Sequence, residues 1–184
     1  QDIDADVRDA DALMIRSTTK VGPALLEGSR VRFVATATIG TDHLDIPYLE
    51  RRGIAWCGSP GCNANSVSEY IAAALLVLGR RHGLELAGRT LGVVGVGRVG
   101  TRVVAKARAL GLRVILNDPP RFDAEGDAVF RPLEELLVQS DILTLHVPLE
   151  PGGPYPTVRL AGERFFSRLK PGAILINAAR GPVV

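Results

Sequence analysis

The chain has 184 residues, of which 46% are apolar and 23% charged, and a formal net charge of +2. This is the balance of a soluble globular protein, too long for one small module and short for two full domains. No run of like charges stands behind the net charge, which argues against nucleic acid or a membrane surface as the main partner; the longest apolar stretch, YIAAALLVLG at 70–79, is about half a membrane span.

In chain order, short apolar runs alternate with helical patterns. ALMIR (12–16), RFVAT (32–36) and GIAWC (53–57) read as strands. Between them GPALLEG (22–28) and DIPYLERRG (45–53) read as short helices closed by glycine, giving the βαβ rhythm of a parallel sheet. Turn formers collect in SPGCNANS (59–66), and the expected domain boundary falls there, with 1–64 as one unit and 65–184 as the other. NSVSEYIAAALLVLGRR (65–81) is the strongest helix. Ser66 and Glu69 have the spacing of a capping box, and the apolar centre predicts burial nearly all round.

A second βαβ series follows. TLGVVGVGRVG (90–100) is strand, glycine turn and helix start, with the helix running over 98–110 to Gly111. RVILND (113–118) is a strand, PLEELLVQS (132–140) a helix with proline at its start, and DILTLHVP (141–148) a strand stopped by Pro148. GERFFSRL (162–169) is a helix and AILIN (173–177) the last strand, followed by AARGPVV with no closing turn in view.

Gly95, Gly97 and Gly100 fit G-x-G-x-x-G, and Asp118 lies 118 − 95 = 23 residues past the first of them, at the end of the next strand. Each residue has a physical reason: Gly95 for a tight turn, Gly97 for close approach of a pyrophosphate, Gly100 for packing of helix on strand. The unpaired N–H groups at the helix start would receive the phosphates. Asp118 would accept hydrogen bonds from the adenosine ribose and repel a 2′-phosphate, so NAD is expected over NADP. Arg121, three residues on, keeps NADP open. Arg180, just past a strand end behind the small Ala178 and Ala179, reads either as a ligand-facing cation or as a solvated strand cap.

With these motifs in hand, the chain resembles the D-2-hydroxyacid dehydrogenases over essentially its whole length. The resemblance is carried by MIRSTTKV (14–21), ATATIGTDHLD (35–45), PGCNANSVSEY (60–70), GRTLGVVGVGRVG (88–100), NDPPR (117–121), GGPYPT (152–157) and LKPGAILINAARGPVV (169–184). It implies an α/β fold: a Rossmann-type doubly wound parallel sheet that binds NAD, plus part of a flavodoxin-like substrate domain. It implies that Arg180 is catalytic, clamping a substrate carboxylate and polarising the C2 oxygen. Substrate contacts carry onto Ser17 and Thr38, with Arg16 and Lys20 as added positive potential or ordinary solvated loop cations. Cofactor contacts carry onto Gly95, Gly97, Arg98, Val99, Gly100, Asp118, Val147, Pro148, Ala178, Ala179 and Arg180.

The short link RRHGLELAG (80–88) and the strings PGCNA and DPPR narrow the resemblance to members acting on a small phosphorylated four-carbon 2-hydroxy acid in pyridoxal phosphate synthesis. Oxidation of another 2-hydroxy acid such as 3-phosphoglycerate, and a cofactor sensor without turnover, remain alternatives. The family's first strand and its catalytic glutamate and histidine have no counterpart here, so the chain is expected to be a piece of a longer, homodimeric protein. His43, His82 and His146 are therefore expected in packing, loop or solvated roles, with no metal-ligand spacing. Cys57 and Cys62 form neither CxxC nor a disulfide framework, and with no leader pattern they point to free thiols in the cytoplasm.

Overall fold

The computed structural model describes residues 7–126 and 129–184. The chain divides into two compact units, residues 1–63 and 64–184.

The first unit is built on three parallel strands, β1 (Ala12–Ile15), β2 (Phe33–Thr36) and β3 (Ala55–Cys57), in the order β1-β2-β3. Helices α1 (Pro23–Leu26) and α2 (Ile46–Arg51) connect them. Asp45 caps α2 by accepting the Tyr48 N–H at 3.0 Å, and proline sits in the first turn of both helices, where no N–H is needed. Ile15, Leu26, Val34, Leu44, Tyr48 and Leu49 form the core on one face of the sheet. On the other face Met14 and Phe33 stay exposed.

The second unit carries the four parallel strands β4 (Thr90–Val94), β5 (Arg113–Asn117), β6 (Ile142–Leu145) and β7 (Ile174–Asn177). Their order is β5-β4-β6-β7, so the chain leaves β4 in opposite directions for β5 and for β6. A single bridge, Leu116 to Phe130, extends the β5 edge. Long helix α3 (Ala64–His82) precedes β4, and α4 (Arg98–Ala109) joins β4 to β5. Beyond β5 come α5 (Pro119–Glu125) and α6 (Leu133–Gln139), and α7 (Glu163–Phe166) lies between β6 and β7.

The period-2 alternation of each strand sends Leu91, Val93, Leu116 and Ile142 to a core shared with Val103, Val104 and Ala107 of α4 and Ile71 and Leu75 of α3. It sends Val94, Leu143 and Leu145 to the opposite core, with Leu136 and Leu137 of α6 and Phe165 of α7. Helices thus cover both faces, the doubly wound arrangement. Gly92 in mid-strand is explained by α6: a Cβ there would run into Ser140 and meet Leu136 Cδ2 at 3.5 Å.

Several elements differ from the sequence expectation. Helix α3 starts at Ala64, which places Ser66 inside the helix, and Glu69 accepts instead from the Asn65 side chain at 2.7 Å. There is no capping box at Ser66. Nor is α3 buried all round. Ala64, Ser68, Ile71, Leu75 and Gly79 form one buried stripe, while Tyr70, Leu76 and Val77 are 66%, 54% and 51% exposed. An apolar sequence here reports one packed face, not two. The helix expected over 162–169 shrinks to Glu163–Phe166.

Helix α5 was not expected at all. Two consecutive prolines looked like a turn, yet both sit within the first turn of α5, where proline is tolerated. The chain also closes with a 3₁₀ turn, Gly181–Val183, whose Val183 is fully buried and accepts the Ala161 N–H at 2.9 Å.

Candidate cofactor site

The residues singled out in the second unit gather at the carboxyl ends of its strands. β4 runs straight into Gly95, which sits at φ +87, where only glycine is unstrained; a Cβ there would also lie 2.8 Å from the backbone of His146. Gly97 has nothing within 4 Å of where its Cβ would be, so its surface is open to a ligand. A Cβ on Gly100 would run into the Gly95 carbonyl oxygen. The three glycines therefore serve three separate needs: backbone sign, access, and helix packing. Gly97 is the N-cap of α4, whose first N–H groups have no intrahelical partner.

Between the glycines, Val96 is buried and its backbone is held from both sides. Asp118, at the end of β5, accepts the Val96 N–H at 2.7 Å with one carboxylate oxygen and the Arg121 N–H at 3.1 Å with the other, so it also caps α5. Arg121 donates to the Val96 carbonyl at 2.8 Å, and Thr101 donates to the same oxygen at 3.1 Å. Asp118 and Arg121 thus brace the glycine turn across the sheet edge. Sequence spacing placed Asp118 correctly but did not show this second use of its carboxylate. Arg121, raised only as a cofactor-choice residue, turns out to be part of the turn's support.

A cavity of about 470 Å³ opens beside Asp118. Val94, Gly95 and Asp118 form its floor, and Pro119, Leu133, Val147, Pro148, Tyr155 and Leu160 contribute to mostly apolar walls. Leu133, Tyr155 and Leu160 were missed by sequence reasoning, because nothing local marks a residue of α6 or of the 149–160 loop as facing the β5 end. The GGPYPT string was the one available signal. Thr157 fixes that loop, accepting the Glu150 N–H at 2.8 Å and donating to the Pro148 carbonyl at 2.6 Å. The Tyr155 hydroxyl donates to Asp123 of α5.

The remaining positions fall along the same edge. Arg98 is exposed and Val99 half-buried in the first turn of α4. Val147 and Pro148 line the cavity after β6. Ala178, Ala179 and Arg180, all half-buried, follow β7. Asn177 shapes that turn, accepting the Ala179 N–H at 3.0 Å and donating to the Arg180 carbonyl at 2.9 Å. One guanidinium nitrogen of Arg180 donates to the Ala179 carbonyl at 3.1 Å.

His146 lies just beyond β6, its Nε2 hydrogen-bonded to Thr144 Oγ1 at 3.0 Å and its Nδ1 buried without a hydrogen-bond partner. Burial pushes its pKa down from 6.5 to about 4, so it is neutral at physiological pH.

In the first unit, Ser17 follows β1 and Thr38 follows β2, and the Ala37 N–H bonds the Ile15 carbonyl at 2.9 Å, which holds those two strand ends side by side. Thr38 donates to the Gly40 carbonyl at 2.8 Å and is hydrogen-bonded to Thr36, which in turn is bonded to the buried His43 Nε2 at 2.9 Å. His43 is therefore committed to shaping the 37–44 loop. Ser17, Arg16 and Lys20 are exposed.

The groups present fit a dinucleotide: an open glycine over a helix start for a pyrophosphate, a carboxylate at the end of β5 for ribose hydroxyls, and an apolar cleft next to it for a base. Comparison with known proteins points the same way. Residues 72–184 match the family model described as D-isomer specific 2-hydroxyacid dehydrogenase, NAD binding domain. Erythronate-4-phosphate dehydrogenases from Citrobacter koseri and Cronobacter sakazakii are 54% and 55% identical over 180 residues, 98% of this chain and 48% of each relative. The chain thus spans about half the length of the relatives it matches. Among solved structures, a D-lactate dehydrogenase from Aquifex aeolicus in complex with NAD and lactic acid superposes with a TM-score of 0.80 at 32% identity, over 98% of this chain and 60% of that one. An NAD+-bound 3-phosphoglycerate dehydrogenase from Entamoeba histolytica gives 0.83 at 26% identity, over 100% of this chain and 60% of that one. On the family match and the site that underlies it, the chain belongs to the D-isomer specific 2-hydroxyacid dehydrogenases and carries their NAD binding domain.

Proposed function

We propose that the protein to which this chain belongs oxidises 4-phospho-D-erythronate at C2 with NAD, giving the 2-oxo acid in pyridoxal phosphate synthesis. The observation that carries the reading is more than 50% identity to relatives of that name across 98% of the chain, glycine turn, Asp118 and Arg180 included. NAD supplies the hydride acceptor. The glycine turn and the start of α4 hold its phosphates, Asp118 its adenosine ribose, and the cavity beside Asp118 its adenine. Val147, Pro148, Ala178 and Ala179 keep small or apolar surface along the path toward the nicotinamide.

Arg180 takes the substrate carboxylate in a bidentate clamp and stabilises the charge that builds on the C2 oxygen. Ser17 and Thr38 bind substrate, and Arg16 and Lys20 add positive potential for its phosphate. The hydroxyl proton passes to a base that we assign to the part of the relatives' length not covered here. His146 is unsuited to that task, being buried and neutral with Nε2 turned to Thr144. We place the protein in the cytoplasm, in keeping with two cysteines that are free and exposed, and among the described residues no helix is long and apolar enough to cross a membrane. A homodimer is supported by the apolar residues on the outward side of α3, and light scattering of the full-length protein tests it.

The direct test is a substrate panel on the full-length protein, with NADH formation as readout. Turnover of 4-phospho-D-erythronate at least 100-fold better than 3-phosphoglycerate or D-lactate is expected. Equal or better turnover of 3-phosphoglycerate overturns the substrate assignment.

A further inference from the structure

Helix α5 places four charged side chains at the rim of the adenosine cavity. Asp118 caps it, and Arg121, Asp123 and Glu125 lie along it. Asp118 lines the cavity, and Asp123 reaches its wall through the Tyr155 hydroxyl. Arg121 is the one cation of the four, and it does not line the cavity. Its Nε donates to Glu125 Oε1 at 2.7 Å and its Nη2 to Glu125 Oε2 at 2.8 Å, the planar two-point pairing that guanidinium and carboxylate favour. The third nitrogen, Nη1, goes to the Val96 carbonyl, and the guanidinium carbon lies 5.0 Å from the centre of the Phe130 ring. The pairing with Arg121 holds the Glu125 carboxyl below the usual carboxylate range.

An arginine close to the ribose-binding acid is the usual means by which a dinucleotide fold accepts a 2′-phosphate. Here that arginine is present in sequence, but its donors are spent elsewhere. The charges at the rim sum to −1 − 1 − 1 + 1 = −2 over Asp118, Asp123, Glu125 and Arg121. A 2′-phosphate would enter a rim of its own sign, with the only cation of the set turned to Glu125 and Val96.

We propose that Glu125 is a specificity-determining residue: by pairing with Arg121 it keeps the guanidinium on the glycine turn and the rim acidic, so that the site takes the dinucleotide with a free 2′-hydroxyl. The inference rests on the NAD reading above and adds to it a residue seven positions past Asp118, outside the glycine motif.

The test is binding, not turnover. NADH and NADPH affinities are measured by fluorescence titration on the full-length protein and its Glu125→Gln and Glu125→Lys variants. Glu125→Gln keeps the helix and the shape of the side chain, removes one negative charge and leaves Arg121 a neutral partner. NADPH affinity is expected to rise about 5-fold in Glu125→Gln and further in Glu125→Lys, with NADH affinity within 2-fold of wild type. Because the effect is a charge effect at an exposed rim, the NADPH gain should shrink as salt rises from about 0.05 to 0.5 M. Unchanged NADPH affinity, or equal shifts for both dinucleotides, overturns the role of Glu125 while leaving the NAD site in place. Wild-type protein that binds neither dinucleotide overturns the NAD reading and this inference together.

Discussion

Asp118→Ala is expected to damage the fold as well as the ligand site, and the two losses are separable. In the structure the carboxylate accepts two backbone N–H groups. The bond to Val96, at 2.7 Å, serves a buried residue, and with the carboxylate gone that donor has no partner. A hydrogen bond to a charged group is worth about 1.5–3 kcal/mol. The second bond, at 3.1 Å to Arg121, is the N-cap of α5, worth about 1 kcal/mol. Asp118 is half-buried, so water takes over part of the work at the α5 end, and a total loss of about 2–4 kcal/mol follows.

Urea unfolding followed by far-UV circular dichroism measures the total. Amide hydrogen exchange over 90–101 localises it, since opening of the glycine turn should release the Val96 amide first. Asp118→Asn keeps one acceptor oxygen and should recover roughly half of the stability. A loss below about 0.5 kcal/mol in Asp118→Ala, with Val96 protection unchanged, would show that the carboxylate does not support the turn.

The other predictions concern single positions. Gly97→Ala meets nothing within 4 Å and has an extended backbone at φ −73, so stability should stay within about 0.5 kcal/mol while NADH affinity falls at least about 10-fold, by steric contact with the pyrophosphate. Gly100→Ala should do the reverse in order of cause, destabilising the unit by about 1–3 kcal/mol through overpacking against Gly95, as thermal unfolding without ligand would report. Arg180→Lys should cost on the order of 100-fold in kcat/KM with NADH affinity little changed, since an ammonium lacks the planar fork; near-normal kcat/KM would remove Arg180 from the chemistry.

His146 should make stability depend on pH. Its folded pKa of about 4 lies below the unfolded 6.5, so the unfolded chain binds the proton more readily. The stability is fully present above pH 6.5 and falls as pH drops toward 4, by up to about 3 kcal/mol. Denaturant unfolding at pH 7 and pH 4.5 should show that slope and show it reduced in His146→Asn.

The amino-acid sequence by itself determined which residues become strands and helices, the glycine turn and the acid 23 residues after its first glycine. Those features are legible because they are local: side chains alternate in a strand, and Gly95 needs a backbone conformation that other residues resist. Even so, the Pro-Pro start of α5 read as a turn, since proline is compatible with both. What lies across the sheet was decided by tertiary structure. Only the strand order β5-β4-β6-β7 brings Asp118 onto Val96, 22 residues away, and sets the 149–160 loop beside α5. Only packing shows that α3 buries one stripe and leaves Tyr70, Leu76 and Val77 outward, because an apolar side chain carries no mark of which neighbour will cover it. Arg121 makes the same point at the site itself. Its position suggested a phosphate ligand, but the guanidinium has five donors and takes whichever acceptors the fold brings near, here Glu125 on the next turn and a carbonyl 25 residues back.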